Sequence, residues 1–263
     1  MVHDSGEGPA VLFLHSFPLD ASQWDHQVAA LSDRYRCLRP DFWGCGVSPP
    51  PPGLSTLDAY ASAVVQRLDA LGVADFAVCG GSMGGYAAFA VLRAAPHRVS
   101  SLVLSNTRAA ADTDAARADR QAMSDRVRAH GTEAIVEPMT ERMLCAHCRE
   151  EVHIADPVRG RIRRTTADGA VAALAAMAAR PDSTSMLAGI TVRTLVVAGS
   201  EDPIVPVDEA RAMATSIPGA AFEVLTGAAH LCNLEQPARF SELVGGFLDA
   251  APPAQLDGGR AGG

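Results

Sequence analysis

The chain has 263 residues, of which 48% are hydrophobic, and its formal net charge at pH 7 is −8. This composition allows one large core, and α/β folds of this length commonly form a single domain. The negative charge argues against nucleic acid or an anionic membrane as a partner, and no apolar run approaches the ~20 residues of a membrane-spanning helix.

The first ten residues, MVHDSGEGPA, have neither the basic flank nor the apolar centre of a secretory signal. The six cysteines are scattered along the chain, which indicates reduced thiols rather than a disulfide framework. We therefore expect a cytoplasmic protein.

The first part of the chain alternates predicted strands and helices. The strands are expected at 10–14, 36–40 and 75–79, and the helices at 22–31, 56–71 and 86–95. Ser22 is the expected cap of the first helix, and Ser55 or Thr56 that of the second. The four prolines at 49–52 predict a surface loop, because proline has no N–H to donate in the hydrogen-bond pattern of a helix or a sheet.

The turn between the third strand and the third helix has the pattern G-x-S-x-G, with Gly80 and Gly84 flanking Ser82. A serine on such a sharp turn has strained backbone angles and needs small neighbours. A glycine-rich loop that only lets a helix pack on a strand is the simpler alternative. The strand–turn–helix context favours a nucleophilic serine.

A serine nucleophile needs a base and a group that orients the base. A strand at 194–199 is followed by Asp202, and a strand at 221–225 is followed by His230. Both residues lie beyond the carboxyl end of a strand, where open α/β sheets bind ligands. Asp202 could instead cap a turn or helix, and Glu201 is the other candidate carboxylate. The order serine, carboxylate, histidine favours Asp202 and His230.

A loop also follows the first strand, at 15–20. We expect the backbone N–H of Phe17 and that of Met83 to stabilise an oxyanion. His15 is expected to brace this loop rather than act as the base.

After a strand at 99–104, strands and helices no longer alternate. The pattern of the next eighty residues predicts helices and no strand. These are expected at 112–130, 133–144 and 168–179, with a basic turn between the last two. We interpret 107–187 as a helical lid on a core formed by 1–106 and 188–250, and 251–263 as a disordered tail.

Two groups of residues within the predicted lid suggest other chemistry. Cys145, His147 and Cys148, with His153 as a fourth ligand, resemble a metal site, but one C-x-x-C is a weak zinc signal and we expect no metal. Four arginines could bind a substrate carboxylate, although we favour a solvated helix face. They are Arg159, Arg161, Arg163 and Arg164.

With these motifs assembled, residues 8–247 resemble the α/β-hydrolase superfamily. The resemblance rests on the turn at Ser82, on DFWGCGVS at 41–48, and on the GSEDPIVP and GAAHLCNLEQP loops. The stretches 105–117 and 177–184 are similar to the 3-oxoadipate enol-lactonase-like and esterase branch. The resemblance implies eight mostly parallel strands with helices on both faces, a Ser-His-Asp triad, an oxyanion hole and no cofactor.

Three departures from the family pattern matter. Ser16 replaces a usual glycine in the first loop, and Asn106 stands where relatives often carry aspartate. The chain also starts near the family's second strand, so we expect one edge strand to be missing and the exposed edge to favour a homo-oligomer.

The resulting hypothesis is a serine hydrolase that cleaves a small carboxylic ester or lactone. Its catalytic residues are Ser82, Asp202 and His230. The expected substrate pocket is apolar, and its walls are Phe17, Trp43, Met83, Val205 and Leu231. An acyltransferase, a perhydrolase, a biosynthetic cyclase or a low-turnover ligand receptor on the same fold stays open as an alternative.

Overall fold

The computed structural model describes residues 1–50, 53 and 55–250. The predicted disordered tail and the last two prolines of the 49–52 run lie outside the described residues. No helix in the described part of the chain combines the length and apolar character needed to cross a membrane.

Seven strands form one sheet in the order β1-β3-β2-β4-β5-β6-β7. Strand β1 pairs antiparallel with β3, and every other pairing is parallel. The strands are β1 Val2–Ser5, β2 Ala10–Leu14, β3 Arg36–Pro40, β4 Phe76–Gly81, β5 Val99–Ser105, β6 Arg193–Gly199 and β7 Ala221–Leu225. The mostly parallel sheet is confirmed. The described residues form seven strands, one fewer than the eight of the family pattern, as expected for a sheet that lacks one edge strand, and β1 is the single described strand before β2.

Helices pack on both faces of the sheet. They are α1 Asp25–Leu31, α2 Leu57–Ala70, α3 Met83–Ala94, α4 Asp114–His130, α5 Val136–Met143, α6 Ala146–Glu150, α7 Val152–Arg163, α8 Ala167–Ala178, α9 Val207–Thr215, α10 Cys232–Glu235 and α11 Pro237–Asp249. Short 3₁₀ helices lie at Ala21–Trp24, Thr132–Ile135 and Thr184–Gly189.

The two faces have separate hydrophobic cores. On one face, α1 and α11 bury Trp24, Phe240 and Val244 against the sheet. On the other, α2, α3 and α9 pack on the sheet, and the helices that follow β5 continue the same core. Each large apolar side chain that is fully buried contributes about 1.5–3 kcal/mol, so both layers hold the strand ends in place.

Two predicted caps have different outcomes. Thr56 caps α2 by accepting a hydrogen bond from the Ala59 N–H at 3.0 Å, as predicted. Ser22 is not the cap of the first helical segment. Asp20 takes that position and accepts from the Ser22 N–H at 3.0 Å, because the chain already turns at Ala21 into a 3₁₀ helix.

The chain between β5 and β6 is helical in the structure, but the predicted basic turn at 145–167 is wrong. That stretch forms α6 and α7, and α7 contains Pro157. Helix α7 forms because Ala155, Val158 and Ile162 lie on one face and are buried.

Four arginines lie in α7 or directly after it. None of them lines the cavity at the candidate site described below. Arg159 pairs with Glu137, and Arg163 with Glu133, both at 2.8 Å. Arg164 pairs with Asp20 at 2.7 Å, and Arg161 donates to the Ser22 hydroxyl at 3.0 Å. Their role is therefore to fasten helices to one another and to the loop after β2.

Candidate active site

Ser82 lies on the turn between β4 and α3 and has backbone angles φ 51° and ψ −113°. Such angles cost a residue other than glycine about 1–3 kcal/mol. The neighbouring glycines are required by close contacts. A Cβ on Gly84 would lie 1.9 Å from the Leu14 carbonyl oxygen, and one on Gly80 would lie 2.4 Å from the Gly84 carbonyl oxygen. The main-chain packing therefore holds the serine hydroxyl above the sheet.

The structure brings the three predicted catalytic residues together. The Ser82 Oγ lies 2.8 Å from His230 Nε2, and His230 Nδ1 lies 2.8 Å from Asp202 Oδ2. Asp202 follows β6 and His230 follows β7, so adjacent parallel strands deliver them to one edge. The other candidate carboxylate, Glu201, is exposed.

Asp202 is held as a carboxylate by several donors. It accepts hydrogen bonds from the N–H groups of Ile204 at 2.8 Å and Val205 at 3.1 Å. Burial opposes the charge, but His230, Asn106 and the Val205 N–H outweigh it, and the pKa of Asp202 is lowered. A carboxylate accepts the Nδ1 proton of His230, which leaves the Nε2 lone pair directed at Ser82.

Asn106 contacts the Asp202 carboxylate, a contact that the sequence did not predict. Its side-chain amide donates to Asp202 Oδ2 at 2.9 Å and to the Ala229 carbonyl at 3.0 Å. Its own oxygen accepts from the Cys232 thiol at 2.9 Å. Asn106 directly follows β5 and has a φ of 49°. Its position at the carboxyl end of a strand is the signal that could have identified it.

Phe17 and Met83 carry the two predicted oxyanion donors. Met83 is the first residue of α3, and Phe17 lies in the loop after β2. Neither backbone N–H has a hydrogen-bond acceptor among the residues that the structure describes. Unpaired N–H groups at a helix start favour an anion.

Ser16 and His15 hold the loop that carries Phe17. The Ser16 hydroxyl donates to the Gly81 carbonyl at 3.2 Å and accepts from Gln23 at 3.1 Å. His15 Nε2 accepts the Phe42 N–H at 2.9 Å, and burial lowers the pKa of His15. The serine that replaces a family glycine therefore ties the loop to the residue preceding Ser82.

Ser82 and His230 open into a cavity of about 130 Å³. Its other walls come from the loop after β2, from α3, from the helices between β5 and β6, and from the loop after β6. They are Phe17, Tyr86, Arg108, Asp112, Ala116, Asp119, Arg120, Met123, Met139, Arg142, Leu174, Met177 and Ile204.

The structure places the predicted pocket walls in different positions relative to this cavity. Phe17 lines the cavity, but Met83, Val205 and Leu231 are at most 1% exposed and lie beneath it in the core. Trp43 lines a separate small space beside Tyr60. The helices after β5 displace these residues from the cavity, and they supply charged as well as apolar walls.

The charged walls differ in how they are paired. Asp112 forms ion pairs with Arg120 and with Arg180. Arg108 lies 3.2 Å from Glu209. Arg142 and Asp119 are exposed and form no ion pair within the described ranges, so the cavity has one unpaired cation and one unpaired carboxylate.

Glu235 joins the helical segment to the loop of His230. Its carboxylate accepts the N–H groups of Cys145 and Ala229, both at 2.6 Å. Burial raises the pKa of Glu235. The His230 N–H in turn donates to the Met143 carbonyl at 3.0 Å. The position of the histidine thus depends on the end of α5.

Residues 9–237 match the family model described as the alpha/beta hydrolase fold. The chain belongs to this family, within its enol-lactonase and esterase branch. It is 32% identical to 3-oxoadipate enol-lactonase 1 of Acinetobacter baylyi over 243 residues, which cover 91% of this chain and 88% of that protein.

Solved structures give the same assignment. The chain is 37% identical to a thermophilic esterase from Thermogutta terrifontis, solved with malate bound, with a TM-score of 0.91 over 94% of this chain and 92% of that one. An enol-lactonase from Burkholderia xenovorans is 29% identical, with a TM-score of 0.88 over 95% of this chain and 96% of that one.

Proposed function

We propose that this protein hydrolyses small carboxylic esters or lactones through an acyl-enzyme on Ser82. The enzyme class, an ester or lactone hydrolase, follows from its enol-lactonase and esterase relatives. The roles of individual residues rest on one observation. The chain of hydrogen bonds Ser82–His230–Asp202, with 2.8 Å at each step, ends in a cavity.

In the first half-reaction, the Ser82 oxygen attacks the substrate carbonyl carbon while its proton passes to His230 Nε2. Asp202 stabilises the imidazolium that forms. The Phe17 and Met83 N–H groups bind the oxyanion, a contribution of a few kcal/mol. The tetrahedral intermediate collapses, the carbon–oxygen bond breaks, and His230 returns the proton to the leaving alcohol.

In the second half-reaction, water attacks the acyl-enzyme. His230 accepts a proton from this water, the oxyanion forms again in the same hole, and Ser82 leaves with its proton restored. A lactone gives one product because its alcohol stays attached to the acyl group: a hydroxy acid, or a keto acid where the lactone is that of an enol. The helices between β5 and β6 act as a lid that limits the substrate size and excludes water.

We propose further that the substrate carries an anionic group, most simply a carboxylate. Arg142 lines the cavity without an ion-pair partner in the part of the chain that the structure describes, and Arg108, 3.2 Å from Glu209, is a second arginine in the wall. An arginine that binds a carboxylate contributes about 1.5–3 kcal/mol.

Replacement of Arg142 should lower the activity on a charged substrate more than the activity on a neutral one. For Arg142→Ala we expect kcat/KM to fall about 10- to 100-fold for an ester or lactone with a free carboxylate. The neutral methyl ester of the same compound should change by less than about threefold. Equal losses for both substrates would contradict an anion-binding role.

The triad is tested by intact mass after exposure to a fluorophosphonate, which phosphonylates an activated serine and releases fluoride. We expect one adduct on the wild type and on the control Ser216→Ala, whose serine is exposed and remote. Ser82→Ala and His230→Ala should give none, and kcat for ester hydrolysis should fall about 10⁴- to 10⁶-fold. An adduct that persists in Ser82→Ala would refute this nucleophile.

The alternatives give other outcomes in the same preparation. An acyltransferase or a perhydrolase would form the adduct but consume more acyl donor when an alcohol or hydrogen peroxide is added. A ligand receptor would show no adduct with the fluorophosphonate or with a smaller sulfonyl fluoride.

A further inference from the structure

Three metal-ligating side chains meet at the corner between α5 and α6, outside the cavity of Ser82. They are Cys145, His147 and Cys148, and one ligand atom of each lies within 4.8 Å of the others. Both cysteines are buried and the histidine is exposed. Neither the hydrolytic mechanism nor the family resemblance uses them.

The local chain geometry explains the convergence. Helix α5 ends at Met143, Leu144 and Cys145 are extended, and α6 begins at Ala146. Cys145 and Cys148 are therefore three residues apart across the first turn, which places their side chains on the same side. His147 closes over them from the solvent side.

The nitrogen–sulfur distances match those of a zinc coordination shell. The His147 Nε2 lies 3.7 Å from Cys145 Sγ and 3.4 Å from Cys148 Sγ. Zn–S bonds of about 2.3 Å and Zn–N bonds of about 2.0–2.1 Å at a tetrahedral angle place sulfur and nitrogen about 3.5 Å apart. One nitrogen is thus at bonding geometry relative to both sulfurs.

The charge of the surroundings also favours a cation. The Glu235 carboxylate accepts the Cys145 N–H at 2.6 Å. The carboxylates of Glu151 and Glu201 also lie near Cys148. Carboxylates beside a site stabilise a divalent cation that binds there.

We propose that Cys145, His147 and Cys148 form a three-ligand site for Zn²⁺, with water as the fourth ligand on the exposed side. Thiolate and imidazole ligands select zinc over magnesium or calcium. Binding releases the two thiol protons to solvent, so the affinity falls as the pH falls. His153, the fourth ligand that the sequence offered, is exposed, with Nδ1 3.5 Å from Glu151, and does not belong to the site.

The site would stabilise the junction that positions His230. Met143 and Glu235 both contact the histidine loop, and the metal would bind directly beside them. We expect Zn²⁺ to raise the Tm of the protein, because it binds the folded chain. This expectation does not depend on the hydrolytic function.

Cobalt substitution tests the site in the full-length, reduced and metal-free protein. Titration with Co²⁺ should produce a thiolate-to-cobalt absorption band in the near ultraviolet that saturates at one equivalent and disappears when Zn²⁺ is added. The same zinc addition should raise the Tm. Absence of the band from protein whose thiols are all titratable would overturn the proposal.

Matched variants identify the ligands. His147→Ala removes an exposed side chain and should leave the fold intact, while weakening Co²⁺ and Zn²⁺ binding by at least about tenfold, the loss that even an outer-shell partner causes. Cys148→Ser should weaken the band as well. The control His153→Ala should bind like the wild type. Equal affinity in the wild type and His147→Ala would refute the site.

Discussion

At the scale of single residues, Asn106 shows how a neutral group can support a charged one. It donates to the same Asp202 oxygen that accepts the His230 proton. An amide fixes the carboxylate without competing for the proton. An aspartate at this position would add a second negative charge within hydrogen-bond distance, and like charges at such a distance disfavour each other strongly.

The variant Asn106→Asp should therefore change the pH dependence of the enzyme. The added charge favours the protonated imidazole of His230, so the acid limb of kcat/KM should move to higher pH, by about one unit. The neutral variant Asn106→Ala should lower kcat without moving that limb. Profiles measured from pH 4 to 9 would show the difference, and an unmoved limb in Asn106→Asp would contradict the assignment.

The sequence predicted the positions of Ser82, Asp202 and His230 because each follows a strand, and strand ends meet at one edge of a parallel sheet. Asn106 also follows a strand, but its role depends on the left-handed turn that directs its amide. Glu235 and the cavity arginines could not be predicted in the same way. Their roles arise from contacts between segments far apart in the chain, which no local pattern encodes.

At the scale of elements, the packing of α3 against β2 sets the height of the serine above the sheet. Gly84 leaves no room for a Cβ beside the Leu14 carbonyl. Gly246 in α11 is different, since a Cβ there would meet nothing within 4 Å. Both glycines lie in helices and differ in the space available for a Cβ, so Gly246 is a suitable control for Gly84.

We expect Gly84→Ala to lower the free energy of unfolding by about 3 kcal/mol or more, since backbone must shift to admit the methyl group. Gly246→Ala should leave it unchanged or raise it by up to about 1 kcal/mol, because alanine is the better helix former. Urea unfolding followed by circular dichroism measures both. Similar stability for the two variants would show that α3 can move away from β2 without cost.

Helix α7 shows why a local interpretation failed at the element scale. Pro157 and the nearby arginines are typical of a break in a helix. The helix forms across the proline because its apolar face is buried and the arginines find acidic partners on neighbouring elements. Tertiary packing outweighs the local preference at this position.

At the scale of the whole molecule, a buried ion pair ties together the two ends of the segment between β5 and β6, and its arginine packs on the core. Arg180 lies 2.6 Å from Asp112, both side chains are 3% exposed, and the guanidinium stacks over Tyr86 of α3 at 4.0 Å. Loss of one partner of a buried pair leaves the other charge without compensation.

We expect Arg180→Met to lower the free energy of unfolding by about 3 kcal/mol. The control Arg163→Met, which removes an exposed pair with Glu133, should change it little. Chemical unfolding of the two variants beside the wild type would decide. If both were equally stable, the pair would not anchor the helical segment.

Acid should weaken the whole molecule. Burial raises the pKa of Asp20, Asp112 and Asp202, but their hydrogen-bonded and charged partners outweigh it, so each pKa lies below its ordinary value. The stability that these groups contribute is complete above an unfolded pKa of about 3.9 and is lost as the pH falls through the lower folded values. Glu235 acts in the opposite direction, because its raised pKa favours the folded state as the pH falls.

The three aspartates should leave the free energy of unfolding nearly constant from pH 7 to 5 and decrease it below about pH 4. Glu235 should add stability as the pH falls through a higher range, between its raised folded pKa and an unfolded value of about 4.3. Urea titrations at four pH values would test this. Arg180→Met should lose less stability in acid than the wild type, since Asp112 has already lost a partner. An equal slope for both proteins would exclude Asp112 as a source.

The reacting groups and most of the cavity wall come from different parts of the fold, and this has an evolutionary consequence. The reacting groups are anchored at strand ends, whereas most of the cavity wall comes from residues such as Ala116, Met123 and Leu174, in helices that contribute none of them. Mutations in that wall can therefore accumulate without moving the nucleophile. A library confined to these positions should yield new substrate preferences at an undiminished rate of reaction with the fluorophosphonate, so selection can redirect this enzyme while its chemistry is inherited unchanged.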